Sequence, residues 1–356
     1  MRKILLTGGG TAGHVMPNIA LLPGLEELGY EVHYAGSESG IEKDIIEKIG
    51  LKYHAVSSGK LRRYFSLKNF TDAFRVVKGL KDASRLVKRL RPDVCFSKGG
   101  FVTVPIVIAC WLNKVPVIIH ESDMTVGLAN KIALKFARRV CVAFPETLSA
   151  VSKKRAVHTG TPIRKELFRG DRSKGAEVCG FKATKPVVLV MGGSLGSVKL
   201  NGSLRQALPN ILKNFNVVHL CGKGNVDNES QYEGYVQFEY LSNDLPHVLD
   251  LADVVISRAG ANAINEFLAL RKPALLVPLS KKASRGDQIL NAASFENQGF
   301  AQVIQEDEAT PELLARSICE IYNNRGTYIS AMQKSVSTNS EELILGIIKE
   351  EICSEK

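Results

Sequence analysis

The run Lys3-Ile4-Leu5-Leu6-Thr7-Gly8-Gly9-Gly10-Thr11-Ala12-Gly13-His14 reads as a short buried strand that turns through glycines into a helix. Gly8, Gly10 and Gly13 satisfy G-x-G-x-x-G, a spacing that allows a tight turn and brings backbone N–H groups close to an anion at a helix start. Aliphatic runs of the same kind recur at Glu31–Ala35, Asp93–Ser97, Val115–Ile119 and Arg139–Ala143, with helical periodicity between them, as in Ile41–Ile49. This alternation predicts β-α-β units and a parallel sheet. The rhythm restarts at Pro186–Met191 and continues through Asn216–Leu220, Asp253–Ser257 and Pro273–Val277, so a second α/β domain is expected. Arg169–Lys185, charged and poor in apolar residues, reads as the join or as an exposed loop just inside the second half. The boundary is placed near residue 163, giving domains over 1–163 and 164–339. A terminal helix over 340–356 carries Ile344, Ile347 and Ile348 on one face with Glu350 and Glu351 off it, and is expected to pack back on the first domain.

The chain has 356 residues, 45% hydrophobic and 23% charged, with a net charge of +11, a balance that excludes disorder, collagen and coiled coil. Seven scattered cysteines without a C-x-x-C pair suit a reducing compartment and no zinc site. The N-terminus has too short an apolar run for a secretory signal, so a cytoplasmic location is expected. The longest apolar stretch, Phe101–Leu112, is interrupted by Thr103 and Pro105 and falls short of the roughly 20 residues a membrane span requires. The excess charge is local. Residues 60–91 hold eleven Lys or Arg against Asp72 and Asp82, and Arg62, Arg63, Lys68, Arg75, Lys78 and Lys81 alternate with Phe65, Leu67, Phe70, Phe74 and Leu80. This interleaving suits contact with an anionic membrane surface; the competing reading is a solvated amphipathic helix. Nucleic acid is a poorer partner, since no recognised binding motif accompanies the charge.

A second glycine loop, Gly192-Gly193-Ser194-Leu195-Gly196, follows the first strand of the second half. One nucleotide site suffices for an NAD-dependent oxidoreductase, with Glu38 as ribose acid, and that is the runner-up. Loops in both halves better suit an enzyme that brings a nucleotide-activated donor to a second substrate. There is no phosphate loop of the G-x-x-x-x-G-K-[ST] type and no Asp-x-Asp, so a diphosphate would be neutralised by helix ends and basic side chains, without a metal. Further polar clusters lie where strands end: His120-Glu121-Ser122-Asp123, Gly160-Thr161-Pro162-Ile163-Arg164, Ser257-Arg258-Ala259-Gly260 and Asp287-Gln288. Ligands of parallel sheets bind beyond the carboxyl ends of strands.

As an ordered set, Gly9-Gly10-Thr11-Ala12-Gly13-His14, Gly99-Gly100-Phe101, His120-Glu121, Gly192-Gly193-Ser194, Ser257-Arg258-Ala259-Gly260 with Glu266, and Asp287-Gln288 resemble the MurG family of cell-wall N-acetylglucosaminyltransferases. The resemblance implies a GT-B fold, two Rossmann-like parallel-sheet domains facing across a cleft. It implies a peripheral enzyme at the cytoplasmic face of the membrane that needs no cofactor and converts lipid I to lipid II with UDP-N-acetylglucosamine. The acceptor falls to the N-terminal half and the donor to the C-terminal half. It further implies that Thr11, Ala12 and Gly13 face the donor sugar, Arg164 and Ser194 the diphosphate, Leu241 the uracil, Glu266 the ribose and Gln288 the sugar hydroxyls. Gly9, Gly10, Gly192 and Gly193 are the phosphate-loop glycines. Where many members have His-Glu-Gln-Asn, this chain has His120-Glu121-Ser122-Asp123, and a carboxylate at Asp123 cannot donate as the amide does. A UDP-sugar 2-epimerase and a glycolipid glycosyltransferase remain as alternatives of the same fold, and His14 and Glu121 as alternative bases.

Overall fold

The computed structural model describes residues 1–57, 68–152, 154–182, 185–193, 196–281 and 286–353. The chain divides into two compact units, Met1–Arg164 with Asn339–Lys356, and Lys165–Thr338.

The first unit is a seven-stranded sheet of β1 (Arg2–Thr7), β2 (Tyr30–Ser37), β3 (Lys52–Val56), β4 (Val94–Ser97), β5 (Val117–Glu121), β6 (Arg139–Val142) and β7 (Ala156–His158). Its order is β3-β2-β1-β4-β5-β6-β7, every pair parallel. Ile4, Leu5 and Leu6 are fully buried because helices cover both faces of the sheet, which is why β1 is a continuous apolar run rather than an alternating one. One face packs under the helices Lys68–Leu90 and Thr103–Leu112. The other receives the terminal helix Ser340–Cys353, whose Ile344, Ile347, Ile348 and Ile352 join Ile4, Leu6 and Phe96 in one core. Glu351 departs from the expectation that it lies off that face. It is buried with its carboxylate 2.6 Å from both Arg138 Nε and Arg139 Nε, so two cations at the start of β6 compensate its loss of water.

The second unit is a six-stranded parallel sheet of β8 (Val187–Met191), β9 (Asn216–Leu220), β10 (Tyr235–Phe238), β11 (Val254–Ser257), β12 (Ala274–Leu276) and β13 (Ala301–Val303). The order is β10-β9-β8-β11-β12-β13. The stretch read as a loop over Arg169–Lys185 instead contains the helix Arg172–Cys179. Asp171 caps it by accepting from the N–H groups of Ser173 and Lys174, and Gly180 ends it in the left-handed conformation. Both ends are thus specified locally despite the scarcity of apolar residues.

Truncating Ile348, which is fully buried, should cost about 3 kcal/mol through the cavity it leaves. Chemical denaturation of Ile348→Ala checks this, and an unshifted midpoint would show that the terminal helix adds nothing to the core.

Candidate functional site

In both sheets the strand order reverses beside the first strand, between β1 and β4 and between β8 and β11. The loops leaving the carboxyl ends of such a pair diverge to opposite faces and open a crevice, the favoured ligand position in α/β sheets.

In the first unit that crevice is lined by backbone. Gly9 N donates to Gly99 O at 3.2 Å, and Gly100 sits at φ +94° where a Cβ would lie 2.2 Å from Gly9 O. No side chain fits between these loops. Glu42 is buried beneath them and was not foreseen from the sequence. Its carboxylate accepts from Gly10 N at 3.1 Å, from Ser37 N at 3.0 Å and from the Ser37 hydroxyl. Burial presses its pKa upward, but those three donors more than reverse this and hold it below the usual carboxylate range.

Thr11 and Ala12 are exposed on the turn and Gly13 is partly so. His14 follows, with Nδ1–H donating to Gly9 O at 2.8 Å and Thr11 Oγ1 3.2 Å from the same nitrogen. That tautomer leaves a bare lone pair on Nε2. Burial, the largest influence, lowers the imidazole pKa; the Gly9 carbonyl opposes it and the charge of Lys98 adds to it. His14 is therefore uncharged at neutral pH and has the form of a proton acceptor.

Glu121 ends β5 in a different state. Its Oε1 accepts from Asp123 N at 3.1 Å, and its Oε2 from Gly127 N at 2.9 Å and Asn130 Nδ2 at 3.0 Å. Burial raises its pKa against these bonds. Three donors aimed at one buried carboxylate make it a clamp on the 122–127 loop. Asp123 sits on that loop, partly exposed.

In the second unit a cavity of about 530 Å³ lies over Gly192, Gly193, Gly260 and the start of the helix Val198–Ile211. Ser197 caps that helix with its hydroxyl, accepting from Leu200 N, and Gly196 at φ +74° lets the turn pass within 1.9 Å, measured from a Cβ position, of Cys221 O. The helix start carries positive potential into the cavity. Gln288 also lines it, on the helix Asp287–Asn297, and its Oε1 accepts from Leu279 N at 3.1 Å. Glu266 is partly buried on the neighbouring helix Ala261–Ala269, and Leu241 follows β10, also partly buried. Arg164, the last residue of the first unit's long segment and not among the residues lining this cavity, keeps a buried Nε with no hydrogen-bond partner among the described residues. Ser194 lies outside the described residues, as does the part of the basic segment over 60–67.

Arg258, named from sequence only as part of a cluster, proves to be the hub of this unit. Its Nη1 donates to Val277 O at 2.9 Å, and its Nη2 to the Ser197 hydroxyl and to Glu306. One guanidinium thus ties the ends of β11 and β12 to the cap of the helix at the cavity. No local spacing announces it, because its partners come from three separate parts of the chain.

The glycosyltransferase family 28 N-terminal domain model matches residues 4–142, and the glycosyltransferase family 28 C-terminal domain model matches residues 187–345. The chain is 56% identical over 349 residues to the UDP-N-acetylglucosamine--N-acetylmuramyl-(pentapeptide) pyrophosphoryl-undecaprenol N-acetylglucosamine transferase of Clostridium tetani, covering 98% of each chain. It is 56% identical over 351 residues to the enzyme of that name from Lachnoclostridium phytofermentans, covering 98% of this chain and 99% of the relative. Among solved structures it resembles MurG of Acinetobacter baumannii with a TM-score of 0.77 at 24% identity, over 98% of this chain and all of the other, a likeness of fold.

Removing the Arg258 side chain takes from the largely shielded Glu306 carboxylate its nearest partner, leaving Ser280 N at 3.4 Å and Lys199 Nζ at 4.0 Å, and Arg258→Ala should destabilise the protein by roughly 2 kcal/mol in a denaturant titration. Replacing both partners with methionine should recover most of that loss; a double variant no better than the single one would contradict the hub assignment.

Proposed function

The chain belongs to glycosyltransferase family 28, and we propose that it transfers N-acetylglucosamine from UDP-N-acetylglucosamine to the 4-hydroxyl of the muramyl sugar of lipid I, forming lipid II. The observation that carries this reading is the cavity at the switch point of the second sheet, with a helix start and Gln288 at its walls, in a chain alike to named transferases along 98% of its length. The second unit takes the donor and the first unit the acceptor. The oxidoreductase alternative fails, because both halves match glycosyltransferase domains. The epimerase and glycolipid alternatives share the fold but not the name borne by relatives at 56% identity.

The reaction is a single displacement that inverts the anomeric centre. The acceptor oxygen attacks C1 of the sugar, its proton passes to His14 Nε2, and the bond from C1 to the β-phosphate oxygen breaks. Charge then grows on the departing UDP. The start of the helix Val198–Ile211, capped by Ser197 beside Gly192 and Gly193, receives that charge together with Ser194 and the Arg164 guanidinium, so neither metal nor cofactor is required. Thr11, Ala12, Gly13 and Asp123 serve the donor sugar together with Gln288, while Leu241 presents backbone to the uracil and Glu266 binds the ribose.

Attachment to the cytoplasmic face of the membrane is part of the proposal. Among the described residues no helix is long and apolar enough to cross a membrane. Val77, Trp111 and Leu112 are each more than half exposed, on the paired helices Lys68–Leu90 and Thr103–Leu112, and cationic side chains follow in the same helix and at Lys114. Exposed large apolar side chains among cations suit an anionic lipid surface.

Incubation with UDP-N-acetylglucosamine and a lipid I analogue should release UDP. His14→Ala should lower kcat by about a hundredfold or more while UDP binding is unchanged, and near-normal turnover would remove His14 as the base. Protonation of His14 abolishes its function, and burial lowers its pKa, so kcat should fall on the acid side with a midpoint below the 6.5 of a free imidazole. Replacing Trp111 and Leu112 with glutamate should abolish co-sedimentation with anionic vesicles; binding indifferent to anionic lipid content would defeat the membrane reading.

A further inference from the structure

Lys98 follows the last residue of β4, is only 1% exposed, and has no part in the displacement as written above. Its Nζ lies 2.6 Å from His120 Nδ1 and also against Ser122 Oγ. His120 Nε2–H donates to Gly160 O at 2.8 Å, so its Nδ1 carries the lone pair and Lys98 is the donor. Burial drives the His120 pKa far down, and the ring is neutral. The stem of Lys98 packs on the first glycine loop: its Cβ lies 3.2 Å from the point where a side chain on Gly8 would begin, and that same point meets the His14 carbonyl at 2.4 Å.

We propose that Lys98 is a positioning residue of the transfer reaction, a buried cation that ties the β4 and β5 loops to the glycine turn bearing His14 and fixes the direction in which Ser122 offers its hydroxyl. Because Ser122 Oγ accepts from Lys98, its own hydrogen is left to donate onward. This chain has serine where the family pattern commonly has glutamine, and an amide there would bring its own donors; with serine, the direction of donation depends on Lys98.

The same cation acts on His14. Burial lowers the Lys98 pKa to about 7, against the pull of Glu121 and Asp123 from β5 and its loop and of Cys141 from β6. It therefore gains its charge as the pH falls into the acid range in which His14 would take up a proton. Asp123 and Glu42 favour the charged imidazole, whereas burial and Lys98 oppose it. The sign follows: without Lys98 the His14 pKa rises, and the base is lost at a higher pH. This inference rests on His14 being the base.

The test is Lys98→Met, which keeps the length of the stem and removes the charge. The pH profile of kcat is measured with UDP-N-acetylglucosamine and a lipid I analogue, beside an NMR titration of His14 assigned through His14→Gln. Both the acid limb and the His14 titration should move to higher pH, with kcat at neutral pH reduced roughly tenfold or more and KM for the donor within about twofold. A His14 titration identical to that of the unmodified protein overturns the role of Lys98. A titration that moves while the acid limb stays overturns His14 as the base instead. Should Lys98→Met not fold, as judged by circular dichroism and a denaturant titration, Ser122→Ala decides: kcat is expected to fall with the acid limb in place, and an unchanged kcat overturns the proposal.

Discussion

Two backbones in contact set the geometry of the first unit. Where Gly9 donates to Gly99 and Gly100 passes within reach of the Gly9 carbonyl, the strands β1 and β4 deliver their loops to one point with no side chain between them. The Gly9 carbonyl then selects the tautomer of His14. A parallel sheet with a reversal of strand order makes such a point available, and glycine makes it accessible to a ligand. The second unit repeats the arrangement with a different fixing device, since there a guanidinium rather than a backbone contact joins the loops.

The charged groups beneath these loops share one physical logic. Glu42, Glu121 and Arg258 are all buried and each is surrounded by donors or acceptors, from separate segments at Glu42 and Arg258 and from the stretch that follows it at Glu121. A buried ion without partners would cost several kcal/mol, so each holds its loop in the one arrangement that satisfies it. The loops that leave the carboxyl ends of β1, β5 and β11 are therefore held from below. Thr11 and Ala12 are exposed on the first of these loops, and Asp123 is partly exposed on the loop that Glu121 holds.

The central strands of both sheets were legible because burial on two faces demands uninterrupted apolar runs, as in Ile4-Leu5-Leu6 and Val188-Leu189-Val190. The four strands that escaped the sequence reading, β3, β7, β10 and β13, are the four sheet edges. Half-buried edges accept Lys52, His54, Gln237 and Gln302, which erase the pattern. The glycine loops could be read because backbone geometry restricts them to glycine over a short span. Lys98 stood next to the quoted Gly99-Gly100 pair and was still missed, since a buried lysine is legible only through partners more than twenty residues away. Glu42 and Arg258 were hidden by the same separation. The helix Arg172–Cys179 was obscured by its polar face, although Asp171 and Gly180 mark its ends.

The helix Ser340–Cys353, anchored through Ile344, Ile348 and Glu351, belongs to the core of the unit that also contains the start of the chain. During synthesis the ribosome must therefore make the whole intervening unit, Lys165–Thr338, before the last layer of the first one emerges. At about 5–20 residues per second the first sheet waits on the order of ten to thirty seconds with its Ile4, Leu6 and Phe96 face only partly covered, by helices that carry Leu25 and Ile46. The second unit, continuous in sequence, can mature earlier than the one translated before it, and the unsealed face gives chaperones a defined interval in which to act.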